Sequence, residues 1–232
     1  MRVSYLGAWI LGLSAAILPA AESVPANRDL SGYWNLPYVP NIAQGKEDTV
    51  PYTAAGKAAY LNHDSKDDLT GFCLYPGVPR IMQSPYPVQF IQTGNQLVML
   101  FEYMKMWRAV YTDDRGHNAK ADSTFMGDSA GRWEADTLVI DTISLNDRTW
   151  LDTAGHQHSD KLHVVEHLRR TGPDSIAYDY IVDDPAMYAK PWKQERVLTP
   201  LKATPGLPEL LEYSCNENNK DLQHLISTKP RP

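Results

Sequence analysis

The chain has no basic tract: its 28 acidic residues outnumber its 22 lysines and arginines, and the net charge is −6. Proteins that hold nucleic acid need clustered Lys and Arg against the phosphates, so nucleic acid is not expected as a partner. The sequence also lacks a glycine-rich phosphate loop, a Gly-x-Ser-x-Gly elbow, a His-Glu-x-x-His motif and a Cys-x-x-Cys-His motif. We therefore predict neither an organic cofactor nor a serine or cysteine nucleophile.

Long uncharged runs are also missing, except at the N-terminus. There, an arginine at the second position precedes an uncharged run over residues 3–18, and small residues follow. The run is shorter than the ~20 apolar residues of a membrane span, and the whole pattern is typical of a cleaved secretory signal. We predict a signal peptide over residues 1–21, with cleavage between Ala20 and Ala26. The mature chain, residues 22–232, is then expected to be a single periplasmic or secreted domain without stable membrane insertion; a retained anchor is the alternative.

Cysteine is scarce, and the two that occur are Cys73 and Cys215. In an oxidising compartment an even pair favours a disulfide. Closing so long a loop is worth ~4–5 kcal/mol in the chain-entropy model. Spacing alone does not bring the two Cα atoms within bonding range, so two buried free thiols remain the alternative.

Phenylalanine is scarce as well, at four residues, whereas there are six tryptophans and thirteen tyrosines. Rings with polar tips can line a pocket for a small molecule, with apolar faces and hydrogen-bonding edges. The same rings serve equally well in the core and rim of a β-sheet. Composition therefore allows a small-molecule ligand or substrate without requiring one.

Helix patterns are rare, and strand patterns are frequent. Residues 53–62 predict one short helix, and residues 216–226 predict a terminal helix behind an asparagine cap. Residues 71–87 are proline-rich and predict a structured loop. The remaining chain consists of short strand-like runs separated by turn signals. These runs are residues 30–36, 88–92, 96–104, 107–112, 132–134, 137–142, 161–170, 175–183, 191–198 and 209–215.

The succession of short strands with turn-length links predicts a mainly β fold. We expect an antiparallel meander closed into a lipocalin-like barrel, with a β-sandwich as the alternative. Gly32-Tyr33-Trp34 is similar to the Gly-x-Trp entry of lipocalin-like barrels. In those barrels the Trp plugs the base beneath an Arg from a late strand, and Arg196 is the candidate here.

Four of the seven histidines fall within residues 156–167. Imidazole is the usual acid–base group near neutral pH and the commonest metal ligand, so His156, His158 and His163 are candidate catalytic residues. Strand alternation places Glu166 among apolar side chains, where desolvation favours a protonated carboxyl suited to acid–base work. Three interpretations remain open: a metal-free acid–base site, a divalent-metal site, and ordinary turn and surface histidines.

A second set of candidates lies around the central hairpin. Glu102 and Arg108 each occupy an apolar row and are predicted to pair inside the barrel, either as a structural ion pair or to position a substrate. Tyr103 is the neighbouring candidate for contact with an anion or phenolate. Asp147 and Trp150 belong to a polar loop of the kind that binds substrates at a barrel mouth.

Several longer segments carry a family resemblance. They are GVPRIM (77–82), MLFEYM (99–104), FMGDSAGRWEADTLVIDT (125–142), LNDRTWLDTAGHQHSD (145–160), LHVVEHLRR (162–170) and LLEYSCNENNKD (210–221). Over most of the mature chain the sequence resembles a family of exported, largely uncharacterised bacterial proteins. The resemblance implies a lipocalin-like barrel and a distant similarity to cofactor-independent lyases of lignin-derived aromatics, such as phenylcoumaran γ-formaldehyde lyase. No catalytic residue carries over from that enzyme.

Three functions follow as hypotheses. The first is a cofactor-independent lyase, or a related acid–base enzyme, acting on a small aromatic or cyclic compound. The second is a lipocalin-like binding protein for a hydrophobic small molecule. The third is a metal-dependent hydrolase or isomerase that uses His156, His158 and His163. The first requires Glu102, Arg108, His156 and His163 to converge on one cavity.

Overall fold

A computed structural model describes residues 24–202, 206 and 209–217. The predicted signal peptide and residues 218–226 of the predicted terminal helix lie outside the described residues. Nine strands follow one another around a closed barrel, and the first pairs with the last. They are β1 (Gly32–Asn35), β2 (Val88–Gln92), β3 (Gln96–Phe101), β4 (Trp107–Tyr111), β5 (Asp128–Glu134), β6 (Thr137–Ile143), β7 (His163–Gly172), β8 (Ser175–Asp183) and β9 (Trp192–Pro200). The predicted mainly β, lipocalin-like barrel is confirmed.

One junction of the barrel departs from the predicted antiparallel meander. Strands β4 and β5 run parallel and pair at Tyr111 and Ala130, whereas the other neighbours are antiparallel. An odd number of strands cannot alternate in direction all the way round a closed ring, so one parallel junction is required. The connection over residues 112–127 is long enough for it, since parallel neighbours need a crossover of about a dozen residues.

Helical structure is short and lies outside the strands. The helix α1 (Ala54–Asn62) begins where predicted, because the Thr53 hydroxyl accepts a hydrogen bond from Gly56 N at 3.0 Å. Single 3-10 turns occur at Glu47–Thr49, Ser65–Asp67, Leu69–Phe72, Arg80–Gln83 and Tyr103–Lys105. None of the helices in the described part of the chain has the length and apolarity of a membrane crossing.

The base of the barrel contains the expected tryptophan plug with a different cation. Trp34 is 2 % exposed and donates from Nε1 to Leu30 O at 3.0 Å. The guanidinium of Arg170 lies 5.3 Å from the Trp34 ring centroid, so the prediction of Arg196 was wrong. Arg196 pairs with Tyr178 in the β8–β9 register, and its side chain is directed to Gln194.

Two strand predictions were also wrong. The strand predicted over 96–104 ends at Phe101, since Met104 takes a positive φ of 57° within a 3-10 turn. Residues 209–215 form no strand. This segment is held instead by the Cys73–Cys215 disulfide, with a Cα–Cα distance of 5.7 Å. The disulfide prediction is confirmed.

Candidate functional site

The residues predicted to form one site occupy separate regions of the molecule. Arg108 and Glu166 lie inside the barrel, at 4 % and 0 % exposure. His156 and His158 are buried in the turns that precede β7, whereas His163 is half-buried on the outer surface of β7. Each of these three histidines bonds different partners. The four residues that the first hypothesis required do not line a common cavity.

Arg108 and Glu166 form a bidentate ion pair in the barrel interior. Nη1 and Nη2 of Arg108 donate to the two carboxylate oxygens at 3.2 and 2.5 Å. Tyr178 donates its hydroxyl to the same carboxylate at 2.9 Å, and burial raises the pKa of Tyr178 well above its usual value. The alternation that placed Glu166 on the inner face of its strand is confirmed.

Two hydroxyls also lie against Arg108. Nε donates to Ser129 Oγ at 3.1 Å, and the two hydrogens of Nη2 are shared among Glu166, Ser129 Oγ at 2.9 Å and Thr142 Oγ1 at 2.8 Å. A buried charge pair with several hydrogen bonds holds strands together and leaves little capacity to bind a ligand. We therefore regard this network as structural.

Glu102, the predicted partner of Arg108, lies elsewhere. Because β3 ends one residue earlier, Glu102 begins the 3-10 turn Tyr103–Lys105 instead of continuing the inner row. Its carboxylate accepts a hydrogen bond from Leu211 N at 2.8 Å. Glu102 thus helps to fix the C-terminal segment that the disulfide also holds.

Asp152 and His156 form a buried acid–base pair that the sequence did not predict. Nδ1–H of His156 donates to Asp152 Oδ2 at 2.7 Å, and the carboxylate accepts three backbone N–H groups as well, from Ile42, Ala154 and His156. The opposite ring nitrogen, Nε2, is buried without a hydrogen-bond partner among the described residues, and so is the hydroxyl of Tyr52. The Tyr52 ring stacks on His156 at 6.0 Å.

His158 has no such open position. Its Nδ1–H donates to Ser159 O at 3.0 Å, so Nε2 accepts from the Thr149 hydroxyl at 2.7 Å. This pattern uses both nitrogens of a neutral imidazole. Burial lowers the pKa of His158, which keeps the ring neutral. Trp150, in the same turn region, is 8 % exposed and packs edge-on against His63.

His163 belongs to a cluster on the outside of the barrel. His163 Nε2 and His117 Nε2 lie 3.0 and 2.9 Å from Asp141 Oδ1, and His117 Nδ1 lies 3.0 Å from Asp128. Burial alone would raise the pKa of Asp141, but hydrogen bonds from the two histidines bring it below its usual value. Within the described ranges, no three His, Cys, Asp or Glu side chains form a group that could hold a metal ion. Asp147 lies on an exposed loop.

A cavity of about 230 Å³ that we call the tyrosine cleft combines aromatic and polar lining. Tyr86, Tyr103 and Tyr213 line it, and their ring centroids lie 5.0 to 5.2 Å apart. Tyr213 comes from the C-terminal segment held by the disulfide. Burial raises the pKa of Tyr103, so its phenol remains protonated. Of the predicted substrate-binding residues, Tyr103 is the one that lines this cleft.

The polar lining of the cleft comes mainly from residues 68–84. Thr70 and Ser84 both line it, and each has a buried hydroxyl oxygen without a hydrogen-bond partner among the described residues. Arg80 also lines the cleft and donates to both oxygens of Asp68, at 2.9 and 2.6 Å. Gln83 separates the cleft from the barrel interior, where its side chain accepts from Tyr180 at 2.9 Å.

Asp152 connects the cleft to the buried histidine, since its side chain lines the cavity while it holds His156. Sequence patterns identified neither this carboxylate nor the hydroxyls of Thr70 and Ser84. The one signal nearby was the proline-rich stretch over 71–87. A rigid, irregular loop of this kind can hold side chains in fixed positions without any periodic pattern.

No family model, curated protein or solved structure matches this chain. The resemblance stated from the sequence motifs therefore stays a prediction. The case for a function rests on the geometry of the cleft and on the groups that surround it.

Proposed function

We propose that the protein binds a small aromatic or cyclic compound in the tyrosine cleft. Tyr86 stacks on Tyr103, and Tyr213 lies edge-on to Tyr86, so the three rings give the cleft an aromatic lining. Arg80, Gln83 and Thr153 add polar groups. A concave, mostly apolar site with a few convergent polar groups is the usual form of a small-molecule site.

The observation that carries the proposal is the aromatic lining of the cleft. Tyr86, Tyr103 and Tyr213 contact one another and line the same cavity of about 230 Å³. Aromatic rings attract one another by offset or edge-to-face contacts. A ring-shaped ligand can make such contacts here, which is a physical reason for binding at this position.

The proposed setting is the periplasm or the extracellular medium. A disulfide that joins residues 142 positions apart supports this setting, because such bonds form and persist in oxidising compartments. The N-terminal pattern of the sequence, typical of a secretory signal, agrees with it.

Calorimetric titration with a panel of single-ring aromatic compounds tests the proposal. We expect at least one compound to bind with a saturable 1:1 isotherm, and Tyr86→Leu to weaken its binding about tenfold or more. Tyr111→Leu is the matched control, because Tyr111 is exposed on β4 and does not line the cleft. Equal losses in the control and the cleft variant would contradict the proposal, as would the absence of any saturable ligand.

A second candidate function is cofactor-independent acid–base catalysis, of the lyase class, on the bound compound. The Asp152–His156 pair favours it, since Asp152 lines the cleft and a carboxylate bonded to an imidazole is suited to acid–base work. The test is chromatography of each bound compound after incubation. Conversion by the wild type that His156→Gln abolishes, with binding retained, supports catalysis. Recovery of every compound unchanged supports a binding protein.

A further inference from the structure

The charged side chains that line the tyrosine cleft are already neutralised. Arg80 and Asp152 are the charged residues of the lining. Arg80 forms a bidentate pair with Asp68, and the two side chains are 9 % and 14 % exposed. Asp152 is fully engaged by His156 and by backbone N–H groups. Neither charge is therefore available to balance a charge on a ligand.

An ionised ligand would lose its hydration on entering this cleft without gaining a counter-charge. Burying an unpaired charge is much more costly than burying a neutral polar group that finds a hydrogen bond. The Tyr103 phenol adds no charge, because burial raises its pKa. The electrostatics of the lining thus favour a neutral ligand.

The space within the cleft suits about one ring. At about 230 Å³ it exceeds the roughly 150 Å³ cavity that accommodates benzene. It is smaller than the roughly 300–1,000 Å³ of sites for drug-sized molecules. A single six-membered ring with short substituents matches this space.

The rings of the lining favour an aromatic ligand. The ring centroids of Tyr86, Tyr103 and Tyr213 lie 5.0 to 5.2 Å apart, and all three residues line the cleft. A ligand ring that enters the cleft can add to this group by offset or edge-to-face contacts.

We infer that the tyrosine cleft selects neutral, single-ring aromatic compounds, such as a hydroxybenzyl alcohol. This selectivity rests on the proposed function and narrows it to a chemical class. It follows from three features of the lining: paired charges, a one-ring volume and three tyrosine rings.

The test compares three probes of matched shape by calorimetry at pH 7. They are 4-hydroxybenzyl alcohol, which is neutral, 4-hydroxybenzoate, which is anionic, and 4-hydroxybenzylamine, which is cationic. We expect the neutral probe to bind about tenfold or more tightly than either ion. Equal or tighter binding of an ion, or no binding by any of the three, overturns the selectivity, whereas the proposed function fails only if no compound of the full panel binds.

A charge variant tests the cause of the selectivity. Asp68→Asn retains a side-chain oxygen that can accept the N–H of Thr70 but removes the charge that balances Arg80. We expect Asp68→Asn to lower the dissociation constant of 4-hydroxybenzoate about tenfold and to change that of the neutral probe less than about threefold. Asp113→Asn is the control, since it unbalances Arg115 in an exposed pair away from the cleft. Unchanged affinity for the benzoate in Asp68→Asn contradicts the inferred charge balance.

Discussion

Glu166→Gln is expected to destabilise the barrel strongly without affecting ligand binding. The change keeps the shape of the side chain and an oxygen that can accept from Tyr178, but it removes the negative charge. Arg108, whose side chain is 3 % exposed, then remains buried without a counter-ion. Breaking a buried pair in this way costs about 3–5 kcal/mol, a large share of the roughly 5–15 kcal/mol that stabilises a domain.

A double-mutant cycle with Arg108→Met separates the lost charge pair from other effects. In Arg108→Met alone, Glu166 is the unpaired buried charge, so a similar loss is expected. The double variant carries neither charge, and we expect its loss to be smaller than the sum of the single losses by at least about 2 kcal/mol. Urea unfolding with the disulfide intact, followed by tryptophan fluorescence, measures all four proteins. Additive losses, or single losses below about 1 kcal/mol, would refute this account of the network.

Three further predictions concern stability. His158 is kept neutral in the fold because burial lowers its pKa. The contribution of His158 to the free energy of unfolding is present above its unfolded pKa of about 6.5. It is lost as the pH falls towards the folded pKa, and the free energy of unfolding then decreases by up to about 1.4 kcal/mol per pH unit. His158→Asn should flatten that slope in urea unfolding between pH 8 and 5, and an unchanged slope would contradict it. Replacing Cys73 and Cys215 by Ser should lower the unfolding free energy by at most about 5 kcal/mol. The same change should weaken ligand binding in calorimetry, and unaltered affinity would argue against a role for the C-terminal segment in the cleft. Gly56→Ala places a Cβ 2.0 Å from the Met187 carbonyl oxygen, so thermal unfolding should occur at a lower temperature, and an unchanged midpoint would contradict that packing.

Strand alternation was the most reliable guide from the sequence. It placed Glu166 on the inner face of β7 because side-chain direction along a strand is a local property. The partner of Arg108 could not be found in this way. Arg108 and Glu166 are 58 positions apart, and their meeting depends on the register of β4 to β7 around the barrel. Glu102 is nearer in sequence, but it does not reach Arg108 because β3 ends at Phe101.

The histidine-rich segment shows that density along the chain does not imply convergence in space. His156 and His158 lie in irregular turns, where no sequence periodicity predicts the direction of a side chain. Each bonds a different buried partner. His163 starts β7 and faces outward. The acid–base pair that does form uses Asp152, a residue of the turn just before His156.

The tyrosine cleft was beyond prediction for a similar reason. Tyr86, Tyr103 and Tyr213 come from a proline-rich loop, a 3-10 turn and a C-terminal segment without regular structure. They meet because the disulfide and the Glu102–Leu211 hydrogen bond hold the last segment in place. The cysteine pair alone indicated that this segment could return to residues 70–75.

The central claim, that a small compound binds in the tyrosine cleft, is tested most directly by nuclear magnetic resonance. Increasing concentrations of 4-hydroxybenzyl alcohol are added to the ¹⁵N-labelled protein, and the amide shifts are followed to saturation. We predict saturable shifts centred on Thr70, Ser84, Tyr86 and Tyr103. Saturable shifts centred elsewhere, for example around His117 on the outer face, or no saturable shifts at all, would contradict the claim.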